Sequence, residues 1–388
     1  MAKKFLSGNE AFAEGIRLAK PQVISAYPIT PQTIVVERLS EMVEQGSIRA
    51  EFVHVESEHS ALSCAMGASA VGARAFTATS SQGLLYMAEC LTYAAGGRFP
   101  IVMMNANRAT ALPWNIYGDQ RDSLALLDCG WIQSYAQDAQ EALDLALMSY
   151  YIAEKKEVLT PYMANLDGFV LTHTYEVVDV PSPEQADAFL PDFETDNKLD
   201  LTHPRNLGFS AGPAHNIAFK YKEHVGLLHA KQAILEAEEK FAGIFGRRYT
   251  GLTETYLTED AEYVLITLGS IAGLVREVVD KLRKNGLKAG MLRLRYLRPF
   301  PHEEVAAVVK HAKAVAVLEK DISFGSEGTV YTNVNSALHR AGISLPSADY
   351  IGGLGGRNIS EAEIAGIFEE LKQEKTTVRF LGIGGEKA

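Results

Sequence analysis

Short apolar runs alternate with helical patterns through the first 180 residues. Ser7 and Glu10 form a capping box before a helix that carries Phe12, Ile16 and Ala19 on one face. Strands are then predicted at 22–26, 52–55, 74–78, 99–105 and 158–164, with helices at 33–45, 58–70, 83–96 and 139–156. This alternation predicts an α/β fold, a parallel sheet with helices on both faces and ligands beyond the carboxyl ends of its strands.

The pattern changes twice, which divides the chain into three parts. Residues 181–259 are rich in proline and acid at first and then contain a helical stretch from Tyr221 to about Phe245, ending near Gly246. From 260 to 388 alternation resumes, with the strand candidates YVLITL, GMLRLRYL, KAVAVLEK and DYIGG, a helix from about Ile271 to Asn285 and a last helix capped by Ser360 and Glu363. We therefore predict an α/β domain over 1–180, an extended connection with a helix, and a second α/β domain.

The first strand runs directly into "SAYPITPQT". Pro28 and Pro31 cannot donate backbone hydrogen bonds and fix φ, so they end the strand and hold Ile29 and Thr30 in an extended or turn conformation. Such stiffening places a threonine hydroxyl at the carboxyl end of a strand, where α/β proteins bind ligands.

Composition narrows the class of protein. The chain has 388 residues, is 47% hydrophobic and carries a net charge of −11, which argues against nucleic acid or an anionic membrane as partner. We expect neither a signal peptide in the charged first 20 residues nor a membrane span. The three cysteines are far apart, lack a CxxC motif and are typical of reduced thiols in a cytoplasmic protein.

Two polar clusters follow predicted strands, and each has two interpretations. In "VESEHS" (55–60), acids at the start of an alanine-rich helix can simply complement the helix dipole, or a carboxylate there can be buried between subunits or domains and hold the nitrogen of a heterocycle. In "TATSSQG" (77–83), the small hydroxyl residues can belong to an ordinary helix start or to a polar ligand cradle made by free backbone N–H groups.

A third cluster, "NANRATALPWNIYGDQRD" (105–122), follows the strand FPIVMM. Arg108 there is either a structural arginine or a clamp for a carboxylate or phosphate. The glycine-dense "IGGLGGR" (351–357) has the wrong spacing for a dinucleotide loop, so it predicts a tight turn before the last helix. The sequence contains no Walker A motif, no GxGxxG after a strand and no GxSxG elbow.

Taken in order, several motifs resemble one family across residues 3 to 370. They are "YPITPQT", "ESEHSA", "TATSSQGL", the NANRA loop, "LDGF…TH", "RPFP", "EK…SFG" and "GLGGR". This ordered set closely resembles the α subunit of multi-subunit 2-oxoacid:ferredoxin oxidoreductases, which decarboxylate a 2-oxoacid on thiamine diphosphate and form acyl-CoA. The resemblance implies a thiamine-enzyme pyrimidine-binding domain followed by a domain of the transketolase C-terminal type.

The resemblance also implies residue roles. Glu58 matches the catalytic glutamate that hydrogen-bonds the aminopyrimidine ring of the cofactor, while Thr30 and Arg108 match residues that bind the substrate carboxylate. The cofactor-binding residues implied are Tyr27, Pro28, Ile29, Glu58, Ser81 and Gln82. No metal site is implied in this chain.

The resemblance implies partners as well. The chain lacks the GDG motif that binds diphosphate through Mg²⁺, and it lacks the four cysteines of a [4Fe–4S] cluster. A thiamine diphosphate-binding β subunit, a ferredoxin-like subunit and a γ subunit are therefore expected to supply these sites. External ferredoxin or another acceptor is expected to receive the electrons. CoA is the expected co-substrate. Pyruvate, branched-chain and aryl 2-oxoacids all stay open as substrates. The alternatives are a non-catalytic scaffold subunit and a dehydrogenase E1 β-like chain.

Overall fold

A computed structural model describes residues 2–383 of the chain. Its strands are β1 (Ala2–Ser7), β2 (Val23–Ala26), β3 (Glu51–His54), β4 (Ala75–Thr79), β5 (Val102–Asn107), β6 (Ile132–Tyr135), β7 (Tyr162–Asp167), β8 (Tyr175–Val180), β9 (Thr253–Tyr256), β10 (Tyr263–Leu268), β11 (Ala289–Leu294), β12 (Tyr296–Arg298), β13 (Ala314–Glu319), β14 (Ser347–Ile351) and β15 (Thr377–Phe380). Its helices are α1 (Gly8–Ala19), α2 (Thr33–Glu44), α3 (Glu58–Ala70), α4 (Ser81–Tyr86), α5 (Ala88–Gly96), α6 (Arg121–Leu124), α7 (Ala139–Ala153), α8 (Pro183–Phe189), α9 (Pro213–Phe245), α10 (Ile271–Lys284), α11 (His302–Val309), α12 (Thr329–Arg340) and α13 (Glu361–Leu371).

Seven strands form the N-terminal sheet, in the order β12-β6-β7-β5-β4-β2-β3. All its pairs are parallel except β12 with β6. The central strands β4, β5 and β7 are buried along their whole length, as expected when helices cover both faces. The predicted α/β fold class is confirmed. Strand β6 was not predicted, because its four residues, IQSY, are too short and polar to give a strand pattern.

The helices around this sheet follow the sequence signals closely. The capping box that starts α1 is present, with Ser7 Oγ accepting from Glu10 N at 3.3 Å and Glu10 accepting from Ser7 N at 3.0 Å. The single helix predicted over 83–96 is wrong, because the chain turns at Met87 and forms α4 and α5. Strands β1 and β8, also not predicted, pair antiparallel as a separate two-stranded sheet.

The connection between the two α/β parts contains more helix than predicted. Helix α9 begins at Pro213 instead of Tyr221 and ends where Gly246 adopts a left-handed φ of 73°. Its first residues are exposed on all sides, so they show no apolar periodicity from which a helix start could be found. Proline in the first turn has no N–H to satisfy, which suits this start.

Six strands form the C-terminal sheet, in the order β15-β14-β13-β10-β11-β9, with only β9 antiparallel. Strands β9 and β15 were not predicted. The run GMLRLRYL, predicted as one strand, divides between two sheets: β11 pairs with β10, whereas β12 crosses over and pairs with β6 of the N-terminal sheet. The second α/β part is therefore joined to the first by a shared strand.

Candidate active site

The strand order creates a crevice at the carboxyl edge of the N-terminal sheet. The chain passes from β2 to β3 on one side and then returns to β4 on the other side of β2. Such a change of direction separates the loops that follow the two strands and leaves room for a ligand between them. Thr30 follows β2, Glu58 follows β3, Ser81 follows β4 and Arg108 follows β5, so the fold brings the predicted site segments to one edge.

After β2, a tight turn presents Thr30 at the surface. The N–H of Gln32 donates to the carbonyl of Ile29 at 2.9 Å, and its buried side-chain Nε2 donates to the carbonyl of Ala78 at 2.8 Å. These bonds anchor the turn to the end of β4, while the Gln32 Oε1 atom is buried without a partner in the described residues. The exposed residues of this turn are Tyr27, Pro28 and Thr30, and Ile29 is half-buried.

Glu58 is the first residue of α3 and is only 9% exposed, yet its carboxylate makes no hydrogen bond to any residue within 2–383. Gly83 of α4 lies against it: a Cβ there would be 2.7 Å from Glu58 Oε1 and 2.5 Å from Thr79 Oγ1. The Thr79 hydroxyl is also buried and unpaired among those residues. Unpaired buried polar groups are costly, so this cluster of acceptors fits a ligand that donates hydrogen bonds.

Arg108 is 4% exposed and is oriented by three groups. Its Nη1 donates to the carbonyl of Thr30 at 2.9 Å and its Nε donates to the carbonyl of Asn115 at 3.2 Å. The guanidinium lies 4.9 Å from the ring centroid of Trp114, an exposed residue. Burial lowers the pKa of Arg108, and the nearby Asp122 charge opposes that change. Because Nη2 has no partner in the described part of the chain, it is available to an anion.

Asp122 connects the segments around Arg108 through hydrogen bonds, and the sequence analysis did not identify it as a site residue. Its fully buried carboxylate accepts from donors on three neighbouring segments, namely Ser81 N, Asn105 Nδ2, Asn107 Nδ2, Arg108 N and Ser123 N. Burial raises the pKa of Asp122 to about 6 even though these hydrogen bonds lower it, so the group is ionised at neutral pH. The sequence does contain one sign of a buried polar partner nearby, namely the pair Asn105 and Asn107 on an apolar strand, since buried amides need polar partners.

Ser81 and Gln82 lie at the start of α4. The Ser81 N–H donates to Asp122 at 3.0 Å, and the Ser81 Oγ donates to the Ala109 carbonyl and contacts Gln82 Oε1 at 2.7 and 2.6 Å. The Ser81 N–H is therefore not among the free backbone N–H groups that a ligand cradle would use. Gln82 is half-buried, and its Nε2 has no partner among residues 2–383.

Asp167, at the carboxyl end of β7, faces the C-terminal sheet instead of the crevice. Its Oδ2 accepts from Ser270 N at 2.8 Å and from Lys320 Nζ at 3.2 Å, while Gln120 Nε2 donates to Oδ1 at 3.0 Å. Burial alone would raise the pKa of Asp167, but Lys320 and Ser270 hold it below its ordinary value. This carboxylate joins the carboxyl edges of the two sheets.

Residues 2–383 contain no group of three or more His, Cys, Asp or Glu side chains arranged to hold a metal ion. Cys64, Cys90 and Cys129 are free thiols, and Cys90 Sγ lies 3.4 Å from His59 Nε2. None of the helices within that range combines the length and apolar character needed to cross a bilayer.

Fold and crevice together define a thiamine-enzyme type of α/β protein, and comparisons with known families agree. Residues 14–239 match the family model described as pyruvate flavodoxin/ferredoxin oxidoreductase, thiamine diphosphate-binding. Residues 261–364 match pyruvate:ferredoxin oxidoreductase core domain II. The chain belongs to the pyruvate flavodoxin/ferredoxin oxidoreductase family, as its motifs predicted.

Relatives in this family align over nearly the whole chain. Pyruvate synthase subunit PorA of Methanothermobacter thermautotrophicus is 45% identical and covers 100% of both chains. Ketoisovalerate oxidoreductase subunit VorA of Pyrococcus horikoshii is 44% identical and covers 96% of this chain and 94% of its own.

Two solved structures share the fold at low sequence identity. A 2-oxoglutarate:ferredoxin oxidoreductase from Magnetococcus marinus superposes with a TM-score of 0.73 at 22% identity, over 96% of this chain and 65% of that one. A split gene transketolase gives a TM-score of 0.53 at 12% identity, over 96% of this chain and 100% of that one. These likenesses concern the fold alone.

Proposed function

We propose that this chain is the α subunit of a multi-subunit, cytoplasmic 2-oxoacid:acceptor oxidoreductase. The reaction converts a 2-oxoacid and CoA to acyl-CoA and CO2, with two electrons passing to ferredoxin or a similar acceptor. Full-length relatives named as pyruvate synthase and ketoisovalerate oxidoreductase subunits support this class of substrate. The structural observation that carries the proposal is Glu58 in the crevice, a residue only 9% exposed whose carboxylate makes no hydrogen bond within residues 2–383.

The crevice fits the pyrimidine half of thiamine diphosphate. Glu58 would accept a hydrogen bond from the aminopyrimidine ring, and Gly83 lets the Glu58 carboxylate lie close against α4, since a Cβ at this position would be 2.7 Å from Glu58 Oε1. Tyr27, Pro28, Ile29, Ser81 and Gln82 would line the same cavity. When bound, thiamine diphosphate supplies the electron sink that decarboxylation of a 2-oxoacid requires. By accepting that hydrogen bond, the Glu58 carboxylate would stabilise a proton on the ring nitrogen, which would assist removal of the C2 hydrogen.

Other subunits complete the assembly. The chain has no GDG motif and its three cysteines are separate, so we assign the diphosphate and Mg²⁺ to a β subunit and the [4Fe–4S] clusters to partner subunits. A γ subunit and a ferredoxin-like subunit complete the proposed set, with external ferredoxin or a similar acceptor taking the electrons.

The substrate carboxylate is assigned to Arg108 and Thr30. Arg108 Nη2 has no partner in the part of the chain that the structure describes, and the other donors of this side chain hold the guanidinium in one orientation. A pre-oriented guanidinium loses little entropy when it binds a carboxylate. Thr30 is exposed on a stiff turn next to it and offers a hydroxyl donor.

The test compares Glu58→Gln with Glu56→Gln in the assembled, co-expressed complex. Glu56 lies two residues away but is exposed, and its carboxylate accepts from Ser60 Oγ at 2.5 Å, so it is a matched control. Exchange of the cofactor C2 hydrogen with solvent deuterium should slow at least about 100-fold in Glu58→Gln, because proton-transfer assistance of this kind contributes roughly 10²–10⁴-fold. Glu56→Gln should exchange at the wild-type rate.

Exchange at the wild-type rate in Glu58→Gln would remove Glu58 from the cofactor site. If the assembled wild-type complex neither bound thiamine diphosphate nor oxidised any 2-oxoacid, the chain would instead be a scaffold subunit.

A further inference from the structure

The loop between β5 and α6, residues 109–120, is attached to a turn of the C-terminal part of the chain. Asn115 Nδ2 donates to the carbonyl of Gly355 at 2.8 Å, and the N–H of Gly355 donates to Asp119 Oδ2 at 3.0 Å. The loop also closes on itself where Ala109 N donates to the Tyr117 carbonyl at 3.0 Å. Gly355 thus uses both backbone polar groups to hold a loop that lies 235 to 246 residues earlier in the sequence.

The glycines of the 353–356 turn permit this contact in two ways. Gly353, Gly355 and Gly356 have φ angles of 73°, 62° and 81°, in the left-handed region that favours glycine. In addition, a Cβ at Gly355 would lie 2.6 Å from Asn115 Nδ2, and one at Gly356 would lie 2.4 Å from Tyr117 Cβ. The GLGGR motif therefore does more than turn a strand into the last helix, because its backbone meets the loop directly.

The same loop orients Arg108. The carbonyl of Asn115 accepts from Arg108 Nε at 3.2 Å, so a shift of residue 115 moves one of the two carbonyls that fix the guanidinium. The other is the carbonyl of Thr30, which is held by the turn after β2. A continuous series of hydrogen bonds thus runs from Gly355 through Asn115 to Arg108.

We propose that Asn115 is a positioning residue through which the C-terminal part of the chain orients Arg108 for the substrate carboxylate. The inference rests on the proposed role of Arg108 in 2-oxoacid binding. Asn115 itself does not contact the substrate in this arrangement. It fixes the loop backbone, and the loop backbone fixes the arginine.

The experiment measures steady-state kinetics of the assembled complex with Asn115→Ala. The substituted residue keeps its carbonyl but loses two side-chain bonds, from Nδ2 to the Gly355 carbonyl at 2.8 Å and from Tyr117 N to Oδ1 at 2.7 Å, so Arg108 keeps its partner at a less defined position. KM for the 2-oxoacid should rise about threefold to tenfold, the range expected when one hydrogen bond, that of Arg108 Nε to the Asn115 carbonyl, is weakened. The kcat should stay within about twofold and KM for CoA should not change. Asn358→Ala, an exposed position just beyond the same turn, is the matched control and should behave as wild type.

A double-mutant cycle with Arg108→Ala separates the inference from the proposed function. If Asn115 acts through Arg108, Asn115→Ala should change KM less than about twofold once Arg108 is already alanine. An equal effect in both backgrounds would overturn the inference while leaving the role of Arg108 intact. No effect of Arg108→Ala by itself would instead overturn that role. If Asn115→Ala does not assemble, Asn115→Ser, which can still accept from the Tyr117 N–H, takes its place in the cycle.

Discussion

Glu58 and Arg108 carry opposite charges in surroundings that exclude most water, and neither neutralises the other through a hydrogen bond. Burial lowers the pKa of Arg108, and the Asp122 carboxylate, which accepts from the Arg108 backbone N–H at 3.1 Å, opposes that change. The roles that we propose for the two groups differ: Glu58 would accept a hydrogen bond from a cofactor, and Arg108 would bind an anion.

At the residue scale, Arg108→Ala should weaken 2-oxoacid use more than Thr30→Ala does. A charge-assisted hydrogen bond contributes about 1.5–3 kcal/mol, or about tenfold to a hundredfold in affinity, whereas a neutral hydroxyl bond contributes about 0.5–1.5 kcal/mol. The effect should appear mainly in KM, because decarboxylation removes the carboxylate that the arginine binds. Arg108→Lys should recover part of the loss by restoring the charge without the planar fork. Steady-state kinetics of the complex test this, and an unchanged kcat/KM with every 2-oxoacid would exclude Arg108 from the site.

At the element scale, the start of α12 is surrounded by buried acids from the C-terminal sheet. Glu319 accepts from Val330 N and Tyr331 N, both at 2.9 Å, and Asp349 accepts from Gly328 N at 2.7 Å. The first N–H groups of a helix lack internal partners, so these carboxylates satisfy them and complement the helix dipole. The arrangement has a cost, because burial raises the pKa of Glu319 well above its usual range and that of Asp349 to about 6.

The raised pKa of the buried Asp349 predicts that the effect of Asp349→Asn on stability depends on pH. The pKa of Asp349 is higher in the folded chain than its ordinary 3.8, so ionisation favours unfolding and stability falls as the pH rises from about 4 to 6. Asparagine stays neutral and keeps an acceptor for Gly328 N. The free energy of unfolding of Asp349→Asn, relative to that of wild type, should therefore rise by about 1–3 kcal/mol between pH 4 and pH 7.5.

Thermal unfolding of the full chain at the two pH values measures this gain. Asp128→Asn, at a fully solvated surface position, is the control and should show no such dependence. If the difference in stability between Asp349→Asn and wild type is the same at both pH values, the raised pKa assigned to Asp349 is contradicted.

At the scale of the whole molecule, a buried ion network joins the two sheets and α9. Arg293 Nη1 in β11 and Arg295 Nε, directly after β11, both donate to Glu141 in α7, at 2.7 and 2.8 Å, and Arg295 also pairs with Glu238 in α9. All are essentially inaccessible to solvent. Burial would raise the pKa of Glu141, but Arg293 and Arg295 lower it to about 2. The network therefore holds one carboxylate between two arginines.

Glu141→Gln should destabilise the full chain strongly at neutral pH. Removing one partner from a buried ion pair leaves uncompensated charge and costs about 3–5 kcal/mol. The folded-state pKa of Glu141 is depressed from 4.5 to about 2, so its contribution is complete above pH 4.5 and is lost as the pH falls toward 2. The difference in unfolding midpoint between wild type and variant should shrink across this range. The exposed Glu369→Gln is the control, and a difference that does not depend on pH would contradict this account.

The sequence by itself determined the class of fold and the segments that carry the site. Apolar periodicity, capping residues and prolines act locally, so they predicted most strands and helices and put Thr30, Glu58 and Arg108 after strands. Several of the misses depend on partners that are distant in the sequence: β6 and β12 pair across the two halves of the chain, and β1 pairs with β8. The start of α9 was missed because it is exposed and shows no apolar period.

Only the tertiary structure decided which distant groups meet. The strand order that opens the crevice, the partners of Asp122 and Asp167, and the contact of Asn115 with Gly355 all join segments brought together by folding. The pattern of apolar and polar residues along the chain predicts whether a side chain is buried, because burial depends on the chemistry of that side chain and on the periodicity of its neighbours in sequence. It does not encode the partner, because a buried amide or carboxylate can be satisfied by any donor or acceptor that the packing of the sheets brings within reach.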